Sequence, residues 1–121
     1  MPYLALIDSG SLHTIAPLSA FEGLDLGPAD STIEMLAFAS WTLFDVPIHR
    51  ISMQIVAPKG WASIPLPDVP VVVADAELPF IVLGSSALAH VVVLLRDAEQ
   101  LVHIKSLAEF QAANHGVDDL F

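Results

Sequence analysis

Apolar residues along this chain come in short runs separated by turn-forming residues, and the runs have the length of strands rather than helices. Tyr3 to Ile7 is apolar, breaks at Asp8-Ser9-Gly10-Ser11 and resumes as Leu12-His13-Thr14-Ile15, which predicts two strands around a Gly-containing turn. Pro17 to Phe21 reads as a short helical turn with proline near its start. Glu22 to Asp30, with Gly23, Gly27 and Pro28 among acids, reads as a surface loop. Thr32 to Leu36 is strand-like, and the uncharged stretch that follows carries the aromatics Phe38, Trp41 and Phe44. These side chains either enter the core or sit on a mobile hairpin over a cleft.

The clearest alternation runs from Val46 to Val56, with Ile51, Met53 and Ile55 on one face against Ser52 and Gln54 on the other. A turn at Ala57-Pro58-Lys59-Gly60 closes that strand, and Trp61 to Leu66 returns. Pro65, Pro67 and Pro70 predict an extended edge or loop in place of a central strand, before a short strand at Val71-Val72-Val73. Phe80 to Leu83 is a buried strand stopped by Gly84, and Ser85 to His90 forms one or two helical turns with Ser85 or Ser86 as cap. Val91 to Leu95 and Leu101 to Ile104 form a hairpin across a polar turn at Arg96 to Gln100. Ser106, with Glu109 completing a capping box and Gly116 as a stop, predicts a C-terminal helix. Many short strands with little helix point to an all-β barrel or sandwich.

At 121 residues the chain is expected to be one domain with a core that needs no staples. Its 55% apolar and 15% charged residues exclude a disordered chain. The absence of cysteine removes disulfides, thiolate catalysis and Cys-based zinc sites. A net charge of −10 repels phosphate backbones, so nucleic acid is not an expected partner. Leu78 to Leu95 has no charged residue and approaches the length of a membrane span, but Pro79, Gly84, Ser85, Ser86 and His90 interrupt it. No membrane partner is expected. With no leader of signal-peptide type at the start, a cytoplasmic protein is the expectation.

The candidate chemistry centres on Asp8. A carboxylate between two strands is partly desolvated, and it stays ionised only if N–H groups, hydroxyls or a shared proton compensate it. Ser9 and Ser11 supply hydroxyls, and Gly10 permits close backbone approach or a positive φ. As a tetrapeptide alone, the stretch also fits an ordinary β-turn. Other chemistries find less support. No Gly-x-Ser-x-Gly elbow occurs, His13, His49, His90, His103 and His115 have no i, i+4 zinc spacing, and no Gly-rich phosphate loop is present. No metal, nucleotide or other cofactor is implied.

Ala5-Leu6-Ile7-Asp8-Ser9-Gly10-Ser11 resembles the catalytic motif of the retropepsin-like aspartic proteases, the single-lobe relatives of pepsin. Leu78 to Leu88, with Leu83-Gly84 at its centre, is similar to the family's later Ile-Leu-Gly strand and following helix, and the hairpin after it comes in the family's order. The resemblance covers about residues 3 to 105. It implies a mainly β, closed β-barrel-like acid-protease fold over residues 1–105, in which the Asp8 loop packs against the Gly84 strand. One short helix would follow that strand, and residues 106–121 would form a helical extension outside the likeness.

By the same resemblance Asp8 is the catalytic carboxylate of an aspartic endopeptidase. Ser9, with Gly10 and Ser11, supports the active-site loop, and Phe38, Trp41, Leu43, Phe44, Ile81 and Gly84 are candidates for the substrate cleft and flap. The mechanism needs two carboxylates sharing one proton. No other Asp is followed by Ser-Gly or Thr-Gly, so the second must come from another copy, and a homodimer acting on a peptide or protein substrate is expected. The sequence departs from the family in three places, one of them the extension from Ser106 to Phe121. Only seven residues precede Asp8, where the family carries a strand and a further segment, so a truncated chain or a different pairing is expected; and the flap region Leu36 to Phe44 has no glycine. The competing expectation is an inactive fold of this type used for dimerisation or peptide binding.

Overall fold

The computed structural model describes residues 4–38, 40–56, 63–89, 91–96 and 101–107. The chain is mainly β. Its strands are β1 (Ala5–Ile7), β2 (Thr14–Pro17), β3 (Ser31–Phe38), β4 (Trp41–Ile55), β5 (Ile64–Ala74), β6 (Ile81–Leu83), β7 (Val91–Arg96) and β8 (Leu101–Ser106). A 3-10 turn, Leu18–Phe21, follows Pro17, and the short helix α1, Ser85–Leu88, follows Gly84. The first six strands form one sheet in the order β1-β6-β2-β5-β4-β3, and β7 pairs with β8 in a separate antiparallel hairpin.

The expected closed barrel is not formed. β1 and β3 remain as the two edges of an open sheet. Closure needs the terminal strands to meet and pair, and here β1 is only three residues long and lies at the opposite end of the sheet from β3. The turn at 57–60 and nearly all of the expected C-terminal helix lie outside the described residues.

The stretch with Pro65, Pro67 and Pro70 corrects the expectation of an edge or loop, because it belongs to β5, which lies between β2 and β4 in the sheet. The reason is in the register. Among the described residues β5 pairs over 64–70 with β4 alone, and it acquires β2 as a second neighbour only at Val71 to Ala74, where there is no proline. A strand can carry prolines where one of its edges is free. A bulge between Ile51 and Met53 relieves the ladder further, with Asp68 at φ 52° and its N–H donated to Ser52 Oγ at 3.2 Å.

Core residues occupy both faces of the central strands. Ala16, Leu66, Val69, Val71 and Leu83 form one cluster, covered by Ala87 and Leu88 of α1 and by Val91 and Ile104 of the β7–β8 hairpin. Ile15, Val72, Ala74 and Val82 form the other, with Leu78 beside them. Strands buried on both faces read as continuous apolar runs without alternation. This accounts for the unbroken burial of Val71 to Ala74, whereas the Val46 to Val56 alternation survives because one face of β4 meets water.

Candidate functional site

The Asp8 turn is built by an inserted strand. β6 lies between β1 and β2, parallel to the first and antiparallel to the second, so the chain before the turn and the chain after it are both bonded to the segment that leads into Gly84. Asp8 N donates to Leu83 O at 3.1 Å, and Ser11 N donates to Asp8 O at 3.1 Å to close the turn. Gly10 N donates to Asp8 Oδ1 at 3.1 Å, a local bond that orients the carboxylate. Asp8 is half-buried, while Ser9 and Gly10 are exposed.

The turn and the Gly84 segment pack against each other directly. Ser85 N donates to Ser11 O at 2.8 Å, and Ser85 Oγ donates to Leu12 O at 3.1 Å. The Ser11 hydroxyl donates to His13 O at 2.8 Å. A Cβ on Gly84 would meet the backbone carbonyls of His13 and Ser11 inside van der Waals contact, so only glycine fits there. Gly10 behaves differently. It takes no positive φ, and an added Cβ would stand 3.4 Å from Asp8 Oδ1, an ordinary contact.

Beneath the turn runs a hydroxyl relay that the sequence did not disclose. Gly84 N donates to Thr14 Oγ1 at 3.2 Å, Thr14 Oγ1 and Ser86 Oγ lie 2.8 Å apart, and Ser86 Oγ donates to Pro70 O at 3.3 Å. A hydroxyl has one proton. Since that of Ser86 goes to Pro70, Thr14 donates to Ser86, and every group in the chain is satisfied. Thr14 is fully buried. The expectation that Ser85 or Ser86 caps α1 is thereby corrected, because Gly84 occupies the cap position and both hydroxyls are engaged across the fold.

The remaining candidates do not gather around Asp8. Ile81 pairs with Ala5 beside the turn and packs its side chain into the cluster under α1. Phe38 and Trp41, at the end of the β3–β4 hairpin, stack on each other at 5.9 Å and with Leu43 pack against the cluster that contains Ile15 and Val82. Phe44 stays 66% exposed. The aromatics are therefore divided between core and surface.

Leu43 and Phe44 also line a groove of about 400 Å³, whose walls include Leu18, Leu26, Val46, Pro47 and Val73 but not Asp8. It opens where β4 parts from β5. The two strands are paired from Ile48↔Val72 to Ile55↔Ile64, while residues 41–48 of β4 pair with β3. Thr42, Asp45, His49 and Asp75 add polar groups, and the Nδ1 atom of His49 is buried without a hydrogen bond. Asp45 holds φ 50° within its strand.

Exposed apolar side chains surround the Asp8 turn. Leu4, Leu6 and Ile7 precede it, and Leu12, 71% exposed, follows it. Among the described residues no helix is long and apolar enough to cross a membrane, and no three His, Asp or Glu side chains converge as a metal site would require. Compared with family models, curated proteins and solved structures, the chain matches none.

Proposed function

We propose that the protein is an aspartic endopeptidase of the retropepsin-like kind, active as a homodimer in which two Asp8 carboxylates share one proton. The observation that carries this reading is the Asp8 turn itself, held between β1 and β2 by the inserted β6 and seated on Gly84. Two carboxylates a few ångströms apart do not both ionise, so one acts as base on a water while the protonated other polarises the scissile carbonyl. In this reading Ser9 ties the two loops together, Gly10 leaves room for the substrate backbone, and Leu6, Ile7 and Leu12 meet their counterparts across the dimer.

The test is hydrolysis of a mixed peptide library between pH ~3 and ~7, the range of shared-proton aspartate pairs. Cleavage beside apolar residues, strongest in the acidic half and abolished in Asp8→Asn, is the expected result. Absence of Asp8-dependent cleavage at every pH would replace this reading with the second.

That second reading is an inactive fold of the same kind that dimerises or binds peptides. It is favoured by the Phe38–Trp41 pair, which packs the end of the β3–β4 hairpin onto the sheet where a glycine-rich tip would be free to move. Peptide binding without turnover, unchanged by Asp8→Asn, distinguishes it.

A further inference from the structure

The groove between β4 and β5 shares no lining residue with the Asp8 turn. Three features of it point to one kind of occupant. The first is backbone. Over Thr42 to Phe44 the β4 strand is bonded to β3 on one side, and among the described residues no strand pairs with its other side. An open edge of this kind accepts an extended peptide as an added strand.

The second feature is the apolar wall formed by Leu18, Leu26, Leu43 and Val73, which suits the aliphatic stem of a long side chain. The third is charge. Asp45, within β4, and Asp75, directly after the end of β5, both line the groove, so each of the two strands brings one carboxylate to it. Neither makes an ion pair among the described residues, where Arg50 is committed to Asp30 and Asp68. The chain's charge of −10 adds a long-range attraction for cations.

We propose that this groove binds an extended basic peptide, whose backbone adds to the open edge of β4 and whose Lys or Arg side chain lies along the apolar wall with its charge between Asp45 and Asp75. The binding is independent of the Asp8 chemistry and persists if that chemistry is absent.

The probe is a fluorescein-labelled, amidated heptapeptide of alternating Val and Thr with a central Arg, followed by fluorescence anisotropy on the Asp8→Asn protein so that nothing is cut. The double variant Asp45→Asn, Asp75→Asn is expected to weaken binding about tenfold, as loss of two exposed ion pairs would. Asn tolerates the left-handed φ of Asp45, so the strand is retained. Norleucine in place of the central Arg should weaken binding comparably, and N-methylation of the peptide backbone should abolish it. Phe44→Lys, at an exposed lining position, should also abolish it by supplying a competing cation. Glu22→Gln, which removes a charge outside the groove, should leave it unchanged. Equal binding of the norleucine or N-methylated peptide, or equal weakening by Glu22→Gln, would overturn the proposal in favour of non-specific attraction to an acidic protein.

Discussion

Gly84 lies against the backbone of His13 so closely that a Cβ at its position would stand 2.6 Å from the carbonyl carbon, and 2.7 Å from the carbonyl oxygen of Ser11. Both neighbours are main chain, and neither can swing aside as a side-chain tip could. The Asp8 turn is thus seated on a residue more than seventy positions later in the chain, and the seat depends on the absence of a methyl group.

Gly84→Ala is accordingly expected to destabilise the protein by about 3 kcal/mol or more, at the upper end of overpacking effects, because backbone has to move. Urea unfolding followed by circular dichroism measures it. A midpoint within error of the parent would mean that the turn and the Gly84 segment separate easily.

Gly10→Ala should behave in the opposite way. At a position with no positive φ and only ordinary contact to Asp8 Oδ1, alanine is expected to leave stability unchanged or raise it by about 0.5 kcal/mol through the unfolded chain. The proposed catalysis requires room above Gly10, so cleavage should fall to background in the same protein. A stable and fully active variant would show that no substrate backbone passes there.

Thr14→Val keeps the shape of a fully buried side chain and removes the centre of the relay between Gly84, Ser86 and Pro70. A cost of about 1–3 kcal/mol is expected, since the Gly84 N–H is left without its acceptor. A double-mutant cycle with Ser86→Ala should give a coupling of at least ~0.5 kcal/mol, as for residues within one hydrogen-bond network. Strict additivity would remove the relay from the account of the site.

The exposed residues Leu6, Ile7 and Leu12 around Asp8 make a surface that self-association would cover. Leu12→Asp is expected to yield a monomer that folds normally and does not cleave. In the parent protein association should strengthen with salt, because repulsion between two chains of charge −10 is screened beyond about 8 Å at physiological ionic strength. Sedimentation at two ionic strengths measures both effects. Dimers that persist in Leu12→Asp would place the contact elsewhere.

The elements whose character depends on nearby residues were legible in the sequence. The alternation of Ile51, Met53 and Ile55 against Ser52 and Gln54 is a local consequence of one wet and one dry face, and β4 has it. The strand ending at Gly84, the short helix after it and the turn at Asp8 were likewise written in local composition. What only the tertiary structure decided concerns neighbours far apart in sequence. The prolines at 65, 67 and 70 argue against a central strand in any local reading, yet β5 is one, because its second neighbour β2 begins only at Val71. The aromatics Phe38 and Phe44 have the same local character, and packing alone sends one against the core and leaves the other in water. Thr14 and Ser86 carry no signal of partnership, since a hydroxyl is equally at home on a surface. Insertion of β6 between β1 and β2 brings them to 2.8 Å across seventy-two positions. Local propensity acts over a few residues, whereas strand order is set by which apolar faces can be buried together, and that sum runs over the whole chain.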